Sequence, residues 1–171
     1  KLENGVFNID FVDFEKKIVD NHVKMFLLCN PHNPGGRVWT KDELVKMLDI
    51  CKKHQVLIIS DEIHADLVYS GYKNTAFGTV AEGVYDKYIV CTAASKTFNL
   101  AGLQNSNIII SNPELGKVFA KYMNQLHLLR PNIFGQIATE VAYTQGAEWL
   151  KQLLVYLEGN LNFLIDYMEK N

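Results

Sequence analysis

Three short apolar runs stand out along the chain, and each is followed by polar or small residues. They cover residues 25–29, 56–60 and 88–91. Runs this short and this continuously apolar are typical of buried strands in a parallel sheet. Between the first two runs, Thr40 and Glu43 have the spacing of a capping box that starts an amphipathic helix. The pattern therefore predicts a βαβ unit whose parallel strands belong to a sheet covered on both faces.

Weaker patterns on either side predict further elements. Near the start, Phe7, Ile9 and Phe11 alternate with polar residues as in a half-buried strand, and Asp13 can cap a short helix after it. After the third apolar run, residues 107–110 predict another strand. Three helices are predicted beyond it: from Asn112 with Leu115, Val118, Phe119, Tyr122 and Leu126 on an inner face, from about Asn132 to Gln145, and from Ala147 to Asn171.

Composition and charge narrow the class of protein. The 171 residues are 48% apolar with a net charge of -2, and no run of lysine or arginine forms a basic stripe. We therefore expect a folded protein that does not bind nucleic acid. Every apolar run falls short of the ~18 residues that span a membrane. Cys29, Cys51 and Cys91 lack metal-ligand spacing, which favours reduced thiols in a cytoplasmic protein without a metal site.

A polar residue that could take part in binding or catalysis follows each predicted strand. Asn33 comes after the first, Asp61 directly after the second and Lys96 shortly after the third. If the strands are parallel neighbours, these residues meet at the edge where open α/β sheets bind ligands. A lysine there can form a Schiff base with an aldehyde cofactor, and an aspartate can keep a pyridine nitrogen protonated. With an amide donor to the phenolic oxygen, the set predicts a pyridoxal phosphate site.

Each of these residues also has a simpler explanation. A lone lysine is usually solvated, Asp61 is a candidate helix cap, and residues 33–36 can form an ordinary turn. Residues 61–64, Asp-Glu-Ile-His, also match the DExH box of helicases. That alternative requires a GxxxxGK[ST] loop upstream to bind nucleotide phosphates, and the sequence contains none.

Taken together, three motifs resemble those of a known family. They are Asn-Pro-Gly-Gly at 33–36, Ser-Asp-Glu-Ile-His at 60–64 and Ser-Lys-Thr-Phe-Asn-Leu-Ala-Gly-Leu at 95–103. In order and spacing they are similar to the signatures of fold-type-I pyridoxal-phosphate enzymes of the class I/II aminotransferase family. The resemblance implies that Lys96 is the catalytic Schiff-base lysine, with Asp61 at the pyridine nitrogen.

The residues predicted to bind the cofactor are Asn33, Asp61, His64, Ser95 and Lys96. The resemblance itself implies Asn33 as the contact to the phenolic oxygen, whereas His64 either tunes that oxygen or only fills space against the ring. The chain departs from the common aminotransferase pattern at His64, Ala93 and Gln104, where tyrosine, serine and a phosphate-binding arginine are usual. Phosphate binding is therefore expected to depend more on Ser95, on backbone amides, or on parts of the protein outside this sequence.

Within the family, the motifs are most similar to those of bacterial cystathionine β-lyases. Residues 30–39, 61–64 and 98–104 carry this resemblance. It implies that the intact protein is a pyridoxal-phosphate-dependent carbon-sulfur β-lyase, which converts an L-cysteine S-conjugate to a thiol, pyruvate and ammonia. An aminotransferase acting on an L-amino acid is the first alternative. The second is that this chain is a catalytically inactive fragment of the large domain.

The resemblance extends over nearly the whole chain and sets its expected architecture. It implies a truncated three-layer α/β sandwich with a mostly parallel central sheet. We expect residues 1–146 to form the large pyridoxal-phosphate-binding domain, incomplete at its N-terminal side. Residues 147–171 are expected to form a long helix towards a C-terminal domain outside this sequence. A homodimer that takes a small amino-acid substrate is expected for the intact protein.

Overall fold

The computed structural model describes residues 1–3, 5–130 and 132–171. Its strands are β1 (Leu2–Glu3), β2 (Val6–Phe7), β3 (Met25–Cys29), β4 (Leu57–Asp61), β5 (Tyr88–Thr92) and β6 (Asn107–Ile110). Its helices are α1 (Phe11–Asp20), α2 (Lys41–Lys53), α3 (Phe77–Ala81), α4 (Ala94–Thr97), α5 (Pro113–Gln125), α6 (Ile133–Gln145) and α7 (Ala147–Lys170). A 3₁₀ turn, Ala101–Leu103, lies between α4 and β6.

The main sheet has the strand order β3-β4-β5-β6. The first three strands are parallel neighbours, as predicted, and β6 runs antiparallel to β5. One face of β3 is open among the described residues, since Leu27 is 70% exposed whereas Leu28 is buried. The prediction of a sheet covered on both faces is therefore wrong for this strand of the described chain.

The hydrophobic core lies between α2 and the sheet. Helix α2 begins at the predicted capping box, in which the Thr40 side chain accepts from the Glu43 amide and Glu43 accepts from the Thr40 amide. Its buried residues are Leu44, Met47, Leu48 and Cys51. Side chains of the larger apolar types contribute about 1.5–3 kcal/mol each when fully buried. This packing fixes the βαβ unit that carries the strand ends.

The predicted elements near the N-terminus need correction. The strand ends at Phe7, and Phe11 is the first residue of α1. Asp10 caps that helix, because its side chain accepts from the Asp13 amide, while the Asp13 carboxylate pairs with Lys17 at 2.5 Å. The alternation that suggested a longer strand thus crosses a helix boundary. The Asn-Gly pair at 4–5 also predicts a turn, but its first residue lies outside the described residues.

The three C-terminal helices lie where they were predicted, with Asn112 and Asn132 as N-caps and Gly146 as the C-cap of α6. The predicted inner face of α5 is wrong, because Val118, Tyr122 and Leu126 are 53%, 63% and 64% exposed. The apolar spacing reports the helix correctly, but no described element covers that face. None of the helices in the described ranges is both long and apolar enough to cross a membrane.

Candidate active site

Three parallel strands bring their carboxyl ends to one edge of the sheet. In the register of the sheet, Asp61 at the end of β4 lies opposite Cys29 of β3 and opposite Cys91 of β5. The Asp61 carboxylate accepts a hydrogen bond from the Ile63 amide at 3.2 Å and is otherwise exposed. An ionised carboxylate therefore stands at the centre of this edge, available to a ligand.

A cavity of about 320 Å³ opens beside Asp61. Its described lining is Leu27, Leu28, Cys29, Ile59, Asp61, Ile63, Cys91, Ser106 and Ile108. Burial raises the pKa of the Cys91 thiol, and the negative charge of Asp61 adds to the shift, so Cys91 stays a neutral thiol. Asp61 thus projects a single negative charge into mostly apolar surroundings. A cavity of about 480 Å³ lies at the opposite end of the strands, beside Tyr85 and Ser111.

The loop after β3 presents Asn33 to the same edge. The backbones of His32 and Arg37 pair across this loop, with the His32 amide donating to the Arg37 carbonyl at 2.7 Å. Gly35 is required there, because a Cβ at this position would lie 2.2 Å from His32 Nδ1. The backbone amide of Asn33 also donates to Cys29 Sγ at 3.4 Å. The loop is thus folded back onto the end of its own strand.

Asn33 and His64, both predicted site residues, are in contact. Asn33 Nδ2 lies 3.3 Å from His64 Nε2. An amide nitrogen can only donate, so this contact requires an unprotonated Nε2 and places the imidazole proton on Nδ1. The pair joins the loop after β3 to the turn after β4. Sequence spacing predicted both residues as cofactor contacts but gave no sign that they contact each other.

Lys96 lies on α4, the single turn that follows β5. Its side chain is exposed, and among the described residues it forms no hydrogen bond or ion pair with Asp61 or Asn33. The neighbouring Ser95 is half-buried, and its carbonyl accepts from the Leu100 amide at 3.0 Å. The structure therefore places Lys96 just after the third of the three adjacent strands, and no partner for its amine lies among residues 1–3, 5–130 and 132–171.

Residues close to Lys96 in sequence contact α6 and α7. The Phe98 ring meets Tyr143 edge-on at a centroid distance of 5.9 Å and lies 5.6 Å from the Trp149 ring. A Cβ on Gly146 would lie 2.5 Å from Phe98 Cε1, so the helix junction must be glycine to admit this ring. Farther along, Asn105 Nδ2 donates to Thr139 Oγ1 at 2.7 Å. No sequence motif predicted these contacts.

A buried carboxyl group beneath the site was also missed. Glu62, only 3% exposed, accepts from the Ser60 hydroxyl at 2.8 Å and from the Phe77 amide at 2.7 Å. Burial raises the pKa of Glu62, although both hydrogen bonds oppose the shift. Glu62 therefore ties the turn after β4 to the start of α3 and is a structural neighbour of Asp61. Within the motif it looked like any surface glutamate.

Comparison with known proteins decides the family. The sequence pattern of the family described as aminotransferase class I and II matches residues 3–171. The chain belongs to this family. Membership confirms the resemblance that the three motifs carry.

Relatives in the aminotransferase class I and II family include lyases. Cystathionine beta-lyase PatB of Bacillus subtilis (strain 168) is 42% identical over 160 residues, which make up 94% of this chain and 41% of that protein. The pyridoxal-phosphate-bound C-S lyase of Staphylococcus hominis is 41% identical with a TM-score of 0.91, over 98% of this chain and 42% of that one. This likeness to C-S lyases confirms the branch that the motifs indicated.

A third relative has a different assignment. A pyridoxal-phosphate-bound protein from Clostridium difficile 630, provisionally assigned as an aminotransferase, is 46% identical with a TM-score of 0.95, over 100% of this chain and 44% of that one. The chain therefore spans about two fifths of the length of the relatives it matches. These structures confirm the α/β class and the pyridoxal-phosphate-dependent transferase fold.

Proposed function

We propose that this chain is part of a pyridoxal-phosphate-dependent carbon-sulfur β-lyase that converts an L-cysteine S-conjugate to a thiol, pyruvate and ammonia. One observation carries the proposal. An amide, a carboxylate and an amine, from Asn33, Asp61 and Lys96, follow three adjacent parallel strands at one sheet edge. Named lyases among the relatives support the choice of reaction.

The residues at this edge fit the cofactor. An exposed carboxylate in mostly apolar surroundings suits a protonated ring nitrogen, and the side chain of Ile63 supplies an apolar wall of the same cavity. Lys96 has a free amine on the neighbouring strand end. When bound, pyridoxal phosphate supplies an electron-accepting ring that stabilises negative charge at the substrate Cα.

Each residue of the set has a distinct proposed role. Lys96 would hold the cofactor through its amine and, when the substrate amine takes its place, would serve as the general base for the Cα proton. Asp61 holds the proton on the ring nitrogen by its negative charge. Asn33 donates towards the phenolic oxygen, and His64 orients the Asn33 amide through their 3.3 Å contact. Ser95, one residue from Lys96, is the proposed phosphate contact.

An aminotransferase is the second candidate, and the provisional assignment of the Clostridium difficile relative favours it. The two reactions share proton removal at Cα. They differ in the next step, since a lyase expels the thiolate from Cβ whereas an aminotransferase delivers a proton to the cofactor carbon and releases a keto acid. Incubation of the full-length protein with cystathionine distinguishes them. Stoichiometric pyruvate and ammonia support the lyase, and keto-acid formation that depends on an added amino acceptor supports the aminotransferase.

Trapping of the cofactor tests the site itself. The full-length protein is incubated with pyridoxal phosphate, reduced with borohydride and mapped by peptide mass spectrometry. A pyridoxyl group on Lys96 is expected, and Lys96→Ala should abolish it and lower the rate by about 10²–10⁴-fold. Lys121→Ala, an exposed lysine on α5, is the matched control. An unmodified Lys96 in the wild-type protein would reject the cofactor assignment.

The organisation of the intact protein is also a proposal. Residues 1–146 are assigned to the large cofactor-binding domain and residues 147–171 to a helix that leads towards a C-terminal domain. A coverage of about two fifths of the relatives supports this division. We further propose a cytoplasmic homodimer, and little or no lyase activity for the 171 residues alone. Pyruvate release by this chain at the rate of the full-length protein would contradict the last point.

A further inference from the structure

A partly buried hydrogen bond links the two turns that carry the proposed catalytic groups. Thr97 Oγ1 donates to Asp66 Oδ2 at 2.8 Å. Thr97 is fully buried and immediately follows Lys96 on α4, whereas Asp66 is half-buried in the turn after β4. The two residues are 31 positions apart in sequence. The bond therefore spans from one strand end to the next.

Asp66 belongs to the same turn as Asp61 and His64. Within the turn, the Ala65 amide donates to the Glu62 carbonyl and the Leu67 amide to the His64 carbonyl, each at 3.0 Å. These bonds, together with the one that the Ile63 amide donates to the Asp61 carboxylate, hold residues 61–67 in a hydrogen-bonded turn. The position of Asp66 is therefore coupled through this turn to the positions of Asp61 and His64.

On α4, few other described contacts fix the position of the Lys96 amine. The side chain of Lys96 is exposed and unpaired among the described residues, so its reach is set by the backbone of α4. Phe98 fixes that backbone against α6, and Thr97 fixes it against the turn after β4.

We propose that Thr97 and Asp66 are a positioning pair that sets the distance between the Lys96 amine and the Asp61 carboxylate. The inference rests on the proposed function of that site and assigns a task to Thr97, which the motif at 95–103 includes without a role, and to Asp66, which lies outside the motifs. A displacement of about 1 Å between reacting groups can cost on the order of 10²-fold in rate. The pair acts through Lys96 and Asp61 and does not touch substrate.

Variants of both residues in the full-length protein test this pair. Thr97→Val removes the hydroxyl at constant shape, Thr97→Ser keeps it, and Asp66→Ala removes the acceptor from the less buried side. Thr79→Val is the matched control, because Thr79 is exposed on α3 and its Oγ1 also donates to an oxygen, the Ala76 carbonyl at 2.7 Å. For each variant, kcat, KM, the unfolding midpoint and the rate of borohydride trapping on Lys96 are measured.

Thr97→Val and Asp66→Ala should each lower kcat by about tenfold to a hundredfold with little change in KM. Trapping on Lys96 should slow in parallel, while Thr97→Ser and Thr79→Val should resemble the wild type. The double variant should lose no more than either single one, because both remove the same bond. Asp66→Ala keeps this test available if Thr97→Val does not fold.

Four results would overturn the positioning role of Thr97 and Asp66. A lower unfolding midpoint with unchanged kcat and trapping would show that the bond only stabilises the fold. Fully additive losses in the double variant would show that the residues act separately. If wild-type Lys96 is not trapped at all, the cofactor assignment fails first and the positioning role fails with it. Trapping in the wild type with no effect in Asp66→Ala removes the positioning role alone.

Discussion

Two regions of the molecule carry similar apolar patterns but bury them very differently. The sheet region, residues 23–92, buries Leu44, Ile58 and Phe77 completely. The helical region, residues 113–170, leaves Tyr122 63% and Phe163 72% exposed, and its described helices bury only Gly135 and Ala142. Helical spacing of apolar residues therefore predicts that a helix forms, but not that its apolar face is covered by the same chain.

The candidate site lies where these regions meet. Asp61 and Asn33 belong to the sheet region, whereas the segment with Lys96 is fixed partly by the helical region through Phe98 and Asn105. The position of the amine thus depends on a few contacts across the boundary, while the position of the carboxylate depends on a continuous core. We expect the two regions to respond differently to matched substitutions.

Paired phenylalanine truncations should give the largest difference. Phe77 packs edge-on against Tyr88 with ring centroids 6.0 Å apart and is fully buried, whereas Phe163 is largely exposed. Phe77→Ala should lower the free energy of unfolding by about 3–5 kcal/mol, and Phe163→Ala should change it by about 0.5 kcal/mol or less. Urea unfolding of the 171-residue chain measures both. Equal losses would break the comparison, because they would mean that α7 is covered in solution.

Paired glycine substitutions should give an intermediate effect at the boundary. A Cβ on Gly146 would lie 2.4 Å from the Ala142 carbonyl oxygen and 2.5 Å from Phe98, whereas one on Gly159 meets nothing within 4 Å. Gly146→Ala should cost about 1–3 kcal/mol through overpacking. Gly159→Ala, within the exposed helix α7, should instead stabilise by about 0.4–1 kcal/mol.

Thermal unfolding of both glycine variants checks the opposite signs. Near-ultraviolet circular dichroism adds a local readout, since displacement of Phe98 should disturb Tyr143 and Trp149 in Gly146→Ala only. An unchanged aromatic signal together with unchanged stability would show that the junction of α6 and α7 can relax. The contact between Phe98 and the helical region would then not fix the Lys96 segment.

Much of the sheet region was predictable because its signals are local. The runs that form β3, β4 and β5 are apolar almost throughout, and the capping box of Thr40 and Glu43 depends on residues three positions apart. The same runs predicted where Asn33, Asp61 and Lys96 lie, because parallel strands deliver the residues that follow them to one edge.

The remaining features depend on contacts between residues far apart in sequence. The hydrogen bond from Thr97 to Asp66 joins two positions that no motif relates. The four residues of β6 likewise contain no pattern that predicts its antiparallel direction. The N-cap of α1 was misassigned because Asp10 and Asp13 are both good caps, and only the bond from Asp10 to the Asp13 amide decides between them. Local pattern cannot resolve such choices.

A substitution of Glu62 should give the smallest effect. Among the described residues of the sheet region, Glu62 is the only buried residue with an ionisable carboxyl group. Burial raises the pKa of Glu62, so its folded pKa lies above its unfolded pKa. The carboxyl group therefore contributes its full stability below the ordinary glutamate pKa of about 4.3. That contribution is lost as the pH rises through the raised folded value.

Glu62→Gln removes this titration while it keeps an oxygen for the Ser60 hydroxyl and the Phe77 amide. The two proteins should differ by about 1 kcal/mol or less at low pH, and the variant should become progressively the more stable as the pH increases. Urea unfolding across this range measures the difference, with Glu82→Gln, an exposed residue, as control. If the wild type instead became more stable than the variant as the pH rises, Glu62 would be a stabilised carboxylate. The apolar sheet region would then contain a buried charge.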